Sequence, residues 1–507
     1  MHTAVADALS RVRIQADNRH AQIVRSAEIS RSDRELLITT GWLQEIMRGW
    51  YMLARPDVSS GDTAAWYANF WDFIRIYLDE RFGENYCLSA ESSLDLHTEN
   101  PIVPKQLIVI IRQGAGGLRH LMHNTSLMMY LDNKNFPNER TQKQGIRVMS
   151  LGLALCKASP AYFQHHPREA ELALRSIKTA DEITKILIKY HFKTAASRLI
   201  GAYYFIKDDL TALQIKNDMA TGGVMVSETN PFLNTKPLLS SLKLSCPFAG
   251  RITAMWAQAR ETVIEHFPVA PGLPVDPARY LQRVVEIYPY DAYHSLSIEG
   301  YRVTKDLIEK VKNKQWDPLN NINDYDIKNA MAAKGYFDAF QEVKQAVEEI
   351  ITGGNAALIV KANLQKWYQK LFGPSVKAGI LSAESLFGYR HERVYIRNSR
   401  HSPPASERVL EAMEALFACL QTEQHPGVNA VLGHYFFVYI HPYMDGNGRL
   451  GRFLMNALLA SGGYPWTVIW VEDRNKYITS LENTHLDFDM TAFTQFVRNQ
   501  MKKSEDL

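Results

Sequence analysis

Two crowded apolar blocks, GVNAVLGHYFFVYIHPY (427–443) and RLGRFLMNALLASGG (449–463), flank a short polar turn. The first predicts a wholly buried helix stopping at Pro442, because the residue before a proline is pushed out of the helical region. The second predicts a helix beginning near Arg449, after Asp445, Gly446, Asn447 and Gly448 have turned the chain. NAALIVKANLQKWYQKLFG has apolar residues at helical spacing, and QAVEEIITGG ends in a glycine cap. From about Tyr280 onward nearly every segment reads as helix.

The first half differs. KQLIVIIRQG reads as a short strand, and REAELALRSIKTADEITKILIKY as helix. ELLITTGWLQEIMRGWYMLARP begins as helix and then alternates, with Gly41 and Gly49 as turn points. Helices followed by a small strand pair outline a winged helix-turn-helix over residues 1–56. Proline and polar residues concentrate between 236 and 290 around a helix at TAMWAQARETVIEHF, which marks a boundary.

Composition narrows the class without naming a function. The chain has 507 residues, 46% apolar and 22% charged, which is ordinary globular usage. A formal charge of +3 is too small for a nucleic-acid coat or a polybasic anchor. Cys87, Cys156, Cys246 and Cys419 are far apart with no CxxC pair, and read as buried thiols in a reducing compartment. No apolar h-region opens the chain and no run is long enough to span a membrane, so a soluble, cytoplasmic protein is expected.

The chemistry concentrates in HPYMDGNGRLGR, residues 441–452. A turn feeding a helix N-terminus presents unpaired N–H groups and the positive end of the helix dipole, which together favour an anion. Gly446 and Gly448 let a phosphate approach the backbone, and Arg449 and Arg452 add charge-assisted donors. Asp445 is a hard oxygen ligand suited to Mg²⁺, which takes one or two carboxylates plus substrate phosphates. His441 closes the preceding helix and offers a neutral imidazole as general base. A plain helix corner with a capping Asp and turn glycines explains Asp445, Gly446 and Gly448. It leaves the two arginines and the histidine unexplained.

This stretch resembles the motif of the Fic (Fido) family: His, Pro, an aromatic, any residue, Asp-Gly-Asn-Gly-Arg, two variable positions and Arg. Every fixed position is met, with Tyr443 in place of the commoner Phe. The resemblance implies an all-helical core and a protein adenylyltransferase. There His441 deprotonates a target Ser, Thr or Tyr hydroxyl, Asp445 holds Mg²⁺, and Gly446, Asn447, Gly448, Arg449, Leu450, Gly451 and Arg452 cradle ATP. GYRHERVYIRNSRHSPP resembles the family's β-hairpin flap, with Val394, Tyr395, Ile396 and Arg397 as its strand. SLSIEG fits the family's inhibitory motif, with Ser295, Glu299 and Gly300, so that Glu299 reaches Arg452 and keeps the γ-phosphate out. In DRNKYITSLENTH, Tyr477 is expected near the adenine, and His485 stands where many relatives carry Asn.

Residues 1–235 resemble the antitoxin half of type IV abortive-infection systems, through GWLQEIMRGWYMLA, YCLSAESSLDLH and VPKQLIVI. His97 in that part reads as structural. Arg25, Arg31, Arg34 and Arg48 face nearly balancing acids at Glu28, Asp33, Glu35 and Glu45, so DNA binding and plain packing both stay open.

The expected architecture is multidomain and mainly α. A winged helix (1–56) and a mixed α/β region (57–240) precede a helical region with the inhibitory motif (241–365) and a Fic core with its flap (366–501). Expected partners are ATP, a target protein, DNA through residues 1–56 and, as an assembly, a homodimer, with no membrane. De-AMPylation or another nucleotidyl transfer on the same site, and a fused toxin–antitoxin transcriptional regulator, are the alternatives.

Overall fold

The structure is a computed structural model that describes residues 2–18, 21–54, 63–234, 236–313, 327–397 and 399–507. The expected limit between residues 56 and 57 lies outside the described residues. The chain forms two compact units: Met1–Arg251 with Tyr395–Ser402, and Ile252–Val394 with Pro403–Leu507.

The first unit opens with helix His2–Asp17, strand Ile23–Arg25, helix Arg31–Thr39 and the antiparallel pair Leu43–Met47 and Trp50–Leu53. Strand Trp50–Leu53 lies in the middle, with Ile23–Arg25 on its other edge. Gly49 turns the pair at φ +85°. Ser30 starts helix Arg31–Thr39 by accepting the Asp33 N–H (3.0 Å), which satisfies one of the unpaired donors of the first turn.

A four-stranded sheet follows, ordered Tyr86–Leu88, Gln106–Ile111, Ser126–Leu131, Gly117–His120. Strand Gln106–Ile111 is the expected KQLIVI strand; it runs antiparallel to Tyr86–Leu88 and parallel to Ser126–Leu131. Trp66, Phe70, Phe73 and Ile74 of helix Ala64–Phe82 are fully buried in the core that includes Val109 and Ile111. Each such side chain contributes about 1.5–3 kcal/mol over leaving it in water. Helices from Leu151–Lys157 to Asp209–Thr221 then form a second core around Leu199, Ile200 and Tyr203. The helical reading of residues 168–190 divides into Pro167–Arg175 and Asp181–Lys189. His97 is buried and its Nε2 lies 2.8 Å from the Met149 carbonyl, a structural placement.

The second unit has no β-strand among its described residues. Its centre is helix Pro426–Ile440, buried at every position from Gly427 onward, packed on helix Asn447–Ala460. Helices Pro277–Ile298, Ile327–Ile351, Ala356–Lys377 and Val409–Thr422 surround the pair, and Arg474–Asp487 and Thr491–Glu505 complete the unit. Asn456 holds the strandless 461–470 stretch, donating to Thr467 O (3.0 Å) and accepting from Thr467 N (2.7 Å).

One expectation is corrected. The described residues of 388–404 contain no strand, so Val394, Tyr395, Ile396 and Arg397 form no hairpin. Neighbouring backbone groups pair elsewhere within the first unit: Val103 N–H donates to Arg400 O (3.0 Å), Ser402 N–H to Pro101 O (2.8 Å), and Ile102 bridges His401. A backbone donor committed to another segment is unavailable to a hairpin ladder.

Candidate active site

The corner between the two central helices is set by local geometry. His441 ends helix Pro426–Ile440 in the left-handed region (φ +53°), its N–H bonded to Phe437 O (3.0 Å). Gly446, also left-handed (φ +83°), is the N-cap of a helix that begins at Asn447. That start is two residues earlier than the spacing suggested, because Asn447 closes the loop behind it. Its Oδ1 accepts from Tyr443 N (2.9 Å) and its Nδ2 donates to Tyr443 O (2.8 Å). Gly446 supplies no capping side chain, so the first turn faces the corner without a side-chain acceptor.

His441 places its Nδ1 3.3 Å from Val438 O. A carbonyl only accepts, so Nδ1 carries the proton and Nε2 keeps its lone pair. Burial pushes the imidazole down to about 4, with Arg390 adding to the shift, so the ring is neutral at pH 7. Arg390 pins this corner from outside the motif: its Nε donates to His441 O (2.8 Å) and its N–H to Pro442 O (2.9 Å). Sequence reasoning passed over Arg390; an arginine amid the aromatics of GYRHERVY was the available signal.

The two arginines of the motif are handled differently. Arg449 is buried with its guanidinium 5.0 Å from the ring centres of both Tyr301 and Phe372. Its Nη2 sits 3.3 Å from Asp445, while Nε and Nη2 have no hydrogen-bond acceptor. Arg452, its side chain 2% exposed, donates from Nε to Ser295 Oγ (2.8 Å) and from Nη2 to Ser295 O (3.0 Å) and Glu299 Oε1 (2.7 Å). Its Nη1 is buried without an acceptor. Buried donors left unpaired are costly, at about 1–3 kcal/mol each, and mark where an anion fits.

Glu299 is the C-cap of helix Pro277–Ile298, and Gly300 follows at φ +87°. Burial raises its carboxyl pKa, but Arg452 and Arg449 outweigh that, and the net shift is downward, keeping Glu299 ionised. A Cβ on Gly448 would lie 2.2 Å from Glu299 Oε1, so the carboxylate lies directly over the first turn of helix Asn447–Ala460. The anion in the corner is therefore the protein's own.

Asp445 is 64% exposed; its Oδ1 accepts the Gly446 N–H (2.6 Å). No cluster of three or more His, Cys, Asp or Glu able to hold a metal occurs among the described residues. One exposed carboxylate suits a cation whose other ligands come with a phosphate substrate.

His441, Asp445, Gly448, Arg449, Arg452, Ser295 and Glu299 thus share one corner, with Leu450 and Gly451 in the buried body of its second helix. Gly451 packs closely on His434: a Cβ there would meet the ring at 3.1 Å. Tyr477 is buried, with its hydroxyl 2.8 Å from His434 Nε2 and its ring stacked on Phe496. His485 is buried beside the rings of Tyr435 and Tyr439. Val394 is buried in this unit, whereas Tyr395, Ile396 and Arg397 belong to the first. His434 was missed in the sequence, where it looks like one more residue of an apolar helix. Burial pushes its ring down to about 4 as well.

Residues 360–459 match the Fic/DOC family. The chain is 28% identical over 235 residues to the protein adenylyltransferase Fic of Nematostella vectensis, covering 44% of this chain and 49% of that one. It is 29% identical over 237 residues to the protein of the same name from Drosophila yakuba, covering 44% and 42%. The chain thus spans about half or less of these curated relatives. Among solved structures it resembles Fic-1 from C. elegans at 17% identity and a TM-score of 0.38, over 68% of this chain and 90% of that one.

Proposed function

We propose, from the Fic/DOC domain at residues 360–459, that this chain is a protein adenylyltransferase restrained by its own Glu299. The observation that carries the reading is the corner itself: a neutral, proton-accepting His441 Nε2 beside a helix N-terminus whose anion place holds a carboxylate tied to Arg452.

In this reading the target hydroxyl gives its proton to His441 Nε2 as its oxygen bonds to the α-phosphorus of ATP. The bond from that phosphorus to the bridging oxygen breaks, pyrophosphate leaves, and AMP remains on the side chain. Such a transfer needs positioning and charge neutralisation more than covalent help. The first-turn N–H groups from Asn447 to Arg449 and the unpaired donors of Arg449 and Arg452 supply the neutralisation. Asp445 is the residue that would hold Mg²⁺, which neutralises phosphate charge when bound. With Glu299 in place, the Arg452 fork is engaged by a carboxylate in competition with the γ-phosphate.

Cytoplasmic residence and a protein target complete the proposal; no described helix is long and apolar enough to cross a membrane. The test is incubation of the purified chain with each labelled nucleoside triphosphate and Mg²⁺, followed by mass spectrometry of modified side chains. An added AMP mass on a hydroxyl residue is expected. Another nucleotide mass, or none from any triphosphate with the Glu299→Gly chain as well, overturns the adenylyl assignment.

A further inference from the structure

A second polar cleft, wholly within the first unit, has a volume of ≈ 880 Å³. That lies within the range of about 300–1,000 Å³ typical of small-molecule sites. Its lining is basic: Lys134, Lys157, Lys193 and Arg198 face a single carboxylate, Asp132. Asp132 is engaged locally, accepting the Asn135 N–H (2.9 Å).

Arg198 sets this cleft apart from a solvated basic surface. It is only 9% exposed, and among the described residues no carboxylate forms an ion pair with it. Its Nη2 donates to Cys156 O (3.0 Å), its guanidinium lies 5.5 Å from the Phe163 ring centre, and its Nε is buried without an acceptor. A buried cation without a counter-ion is expensive, and desolvation accordingly lowers its pKa. The other buried arginines of this unit are balanced: Arg175 pairs with Glu171, and Arg251 with Glu169. Arg198 is the exception.

The same cleft receives the start of helix Lys193–Phe205. Its N-cap, Phe192, has no side-chain acceptor; the Lys193 N–H turns back to His191 O (2.9 Å), and the first-turn N–H groups of Thr194 and Ala195 open beside Arg198. Tyr190 and Phe192, stacked at 5.4 Å with 20° between planes, form an aromatic part of the wall.

We propose that this cleft binds a phosphate-bearing small molecule, with its anion held by Arg198, Lys157, Lys193 and the first turn of helix Lys193–Phe205. The phosphate supplies the counter-charge that Arg198 lacks and accepts from the uncapped N–H groups. The site shares no residue with the 441–452 corner and does not depend on the adenylyl-transfer reading.

The test is calorimetric titration of the intact chain with inorganic phosphate and, separately, with AMP, for the parent, Lys157→Gln/Lys193→Gln and Arg198→Gln. Lys157 and Lys193 are solvent-reachable, so their exchange keeps the fold even where Arg198→Gln does not. Each lost charge-assisted bond weakens binding about tenfold, so the double lysine variant should bind at least that much more weakly. Equal affinity for both probes identifies the phosphate group alone as the recognised element. Tighter AMP binding identifies a nucleotide seated against Tyr190 and Phe192. Either result supports the site when the double variant loses it. No binding of either probe by the parent at millimolar concentration, or binding that the double variant retains in full, overturns the proposal.

Discussion

Glu299 Oε1 lies 2.7 Å from Arg452 Nη2, and the same oxygen comes within 2.2 Å of where a Cβ on Gly448 would stand. One carboxylate thus occupies both the guanidinium fork and the mouth of a helix N-terminus, the two features that would seat a terminal phosphate. Glu299→Gly is expected to raise self-modification and target transfer at fixed ATP. Arg452→Ala is expected to lose transfer with Glu299 present or absent, so the double variant should match Arg452→Ala alone. Labelled-nucleotide transfer checks this; a Glu299→Gly chain that binds ATP yet is no faster than the parent sinks the restraint.

His441→Ala should lower transfer by about 10²–10⁴-fold while nucleotide affinity stays near that of the parent. Both are read from initial rates and from equilibrium binding of labelled ATP. Substantial transfer at saturating ATP would remove His441 from its role.

The depressed pKa values of His441 and His434, both about 4 against an ordinary 6.5, set two pH effects. Because His441 stays neutral well below 6.5, the acid limb of kcat/KM should fall near its folded value. For stability, the unfolded chain binds more protons than the folded one between about 4 and 6.5. Stability should therefore rise with pH across that window and be fully present above it. Denaturant midpoints from pH 4 to 7 check this, and His434→Gln should flatten part of the rise.

Asp445→Asn should raise the Mg²⁺ concentration needed for half-maximal transfer, and a chelator should abolish transfer in the parent. Rates over a Mg²⁺ titration provide the comparison. An unchanged requirement would place the metal ligand elsewhere.

Asn447→Ala removes both bonds to the buried Tyr443 backbone, leaving an N–H and a carbonyl unpaired. The expected loss is about 2–4 kcal/mol of stability, with transfer falling as the corner loosens. Chemical denaturation should show it; a chain as stable as the parent would mean that the loop holds its shape without this side chain.

Much of the candidate corner was legible because its parts are near in sequence. Helix, turn glycines and second helix occupy residues 427–460, and the turn chemistry of Asp445, Gly446 and Gly448 acts over one or two residues. The strand at residues 106–111 was legible for the same reason, from a short apolar run between turns. Glu299 was reachable only through family resemblance, since nothing local to SLSIEG indicates a partner 153 residues away.

Long-range packing decided the rest. Arg390 holding the His441 carbonyl, the Tyr301 and Phe372 rings around Arg449, and the Tyr477 hydroxyl on His434 join segments whose meeting no local pattern encodes. The 388–404 segment shows the same limit from the other side. Its alternation suited a hairpin, but neighbouring backbone groups found partners in residues 101–103. Periodicity fixes which side chains share a face; which distant donor satisfies a backbone group is settled only when the chain has closed on itself. Arg198 is the clearest case. In sequence it is one basic residue of a helix, and only burial beside an uncapped helix start, with no ion-paired carboxylate among the described residues, gives it a chemical demand.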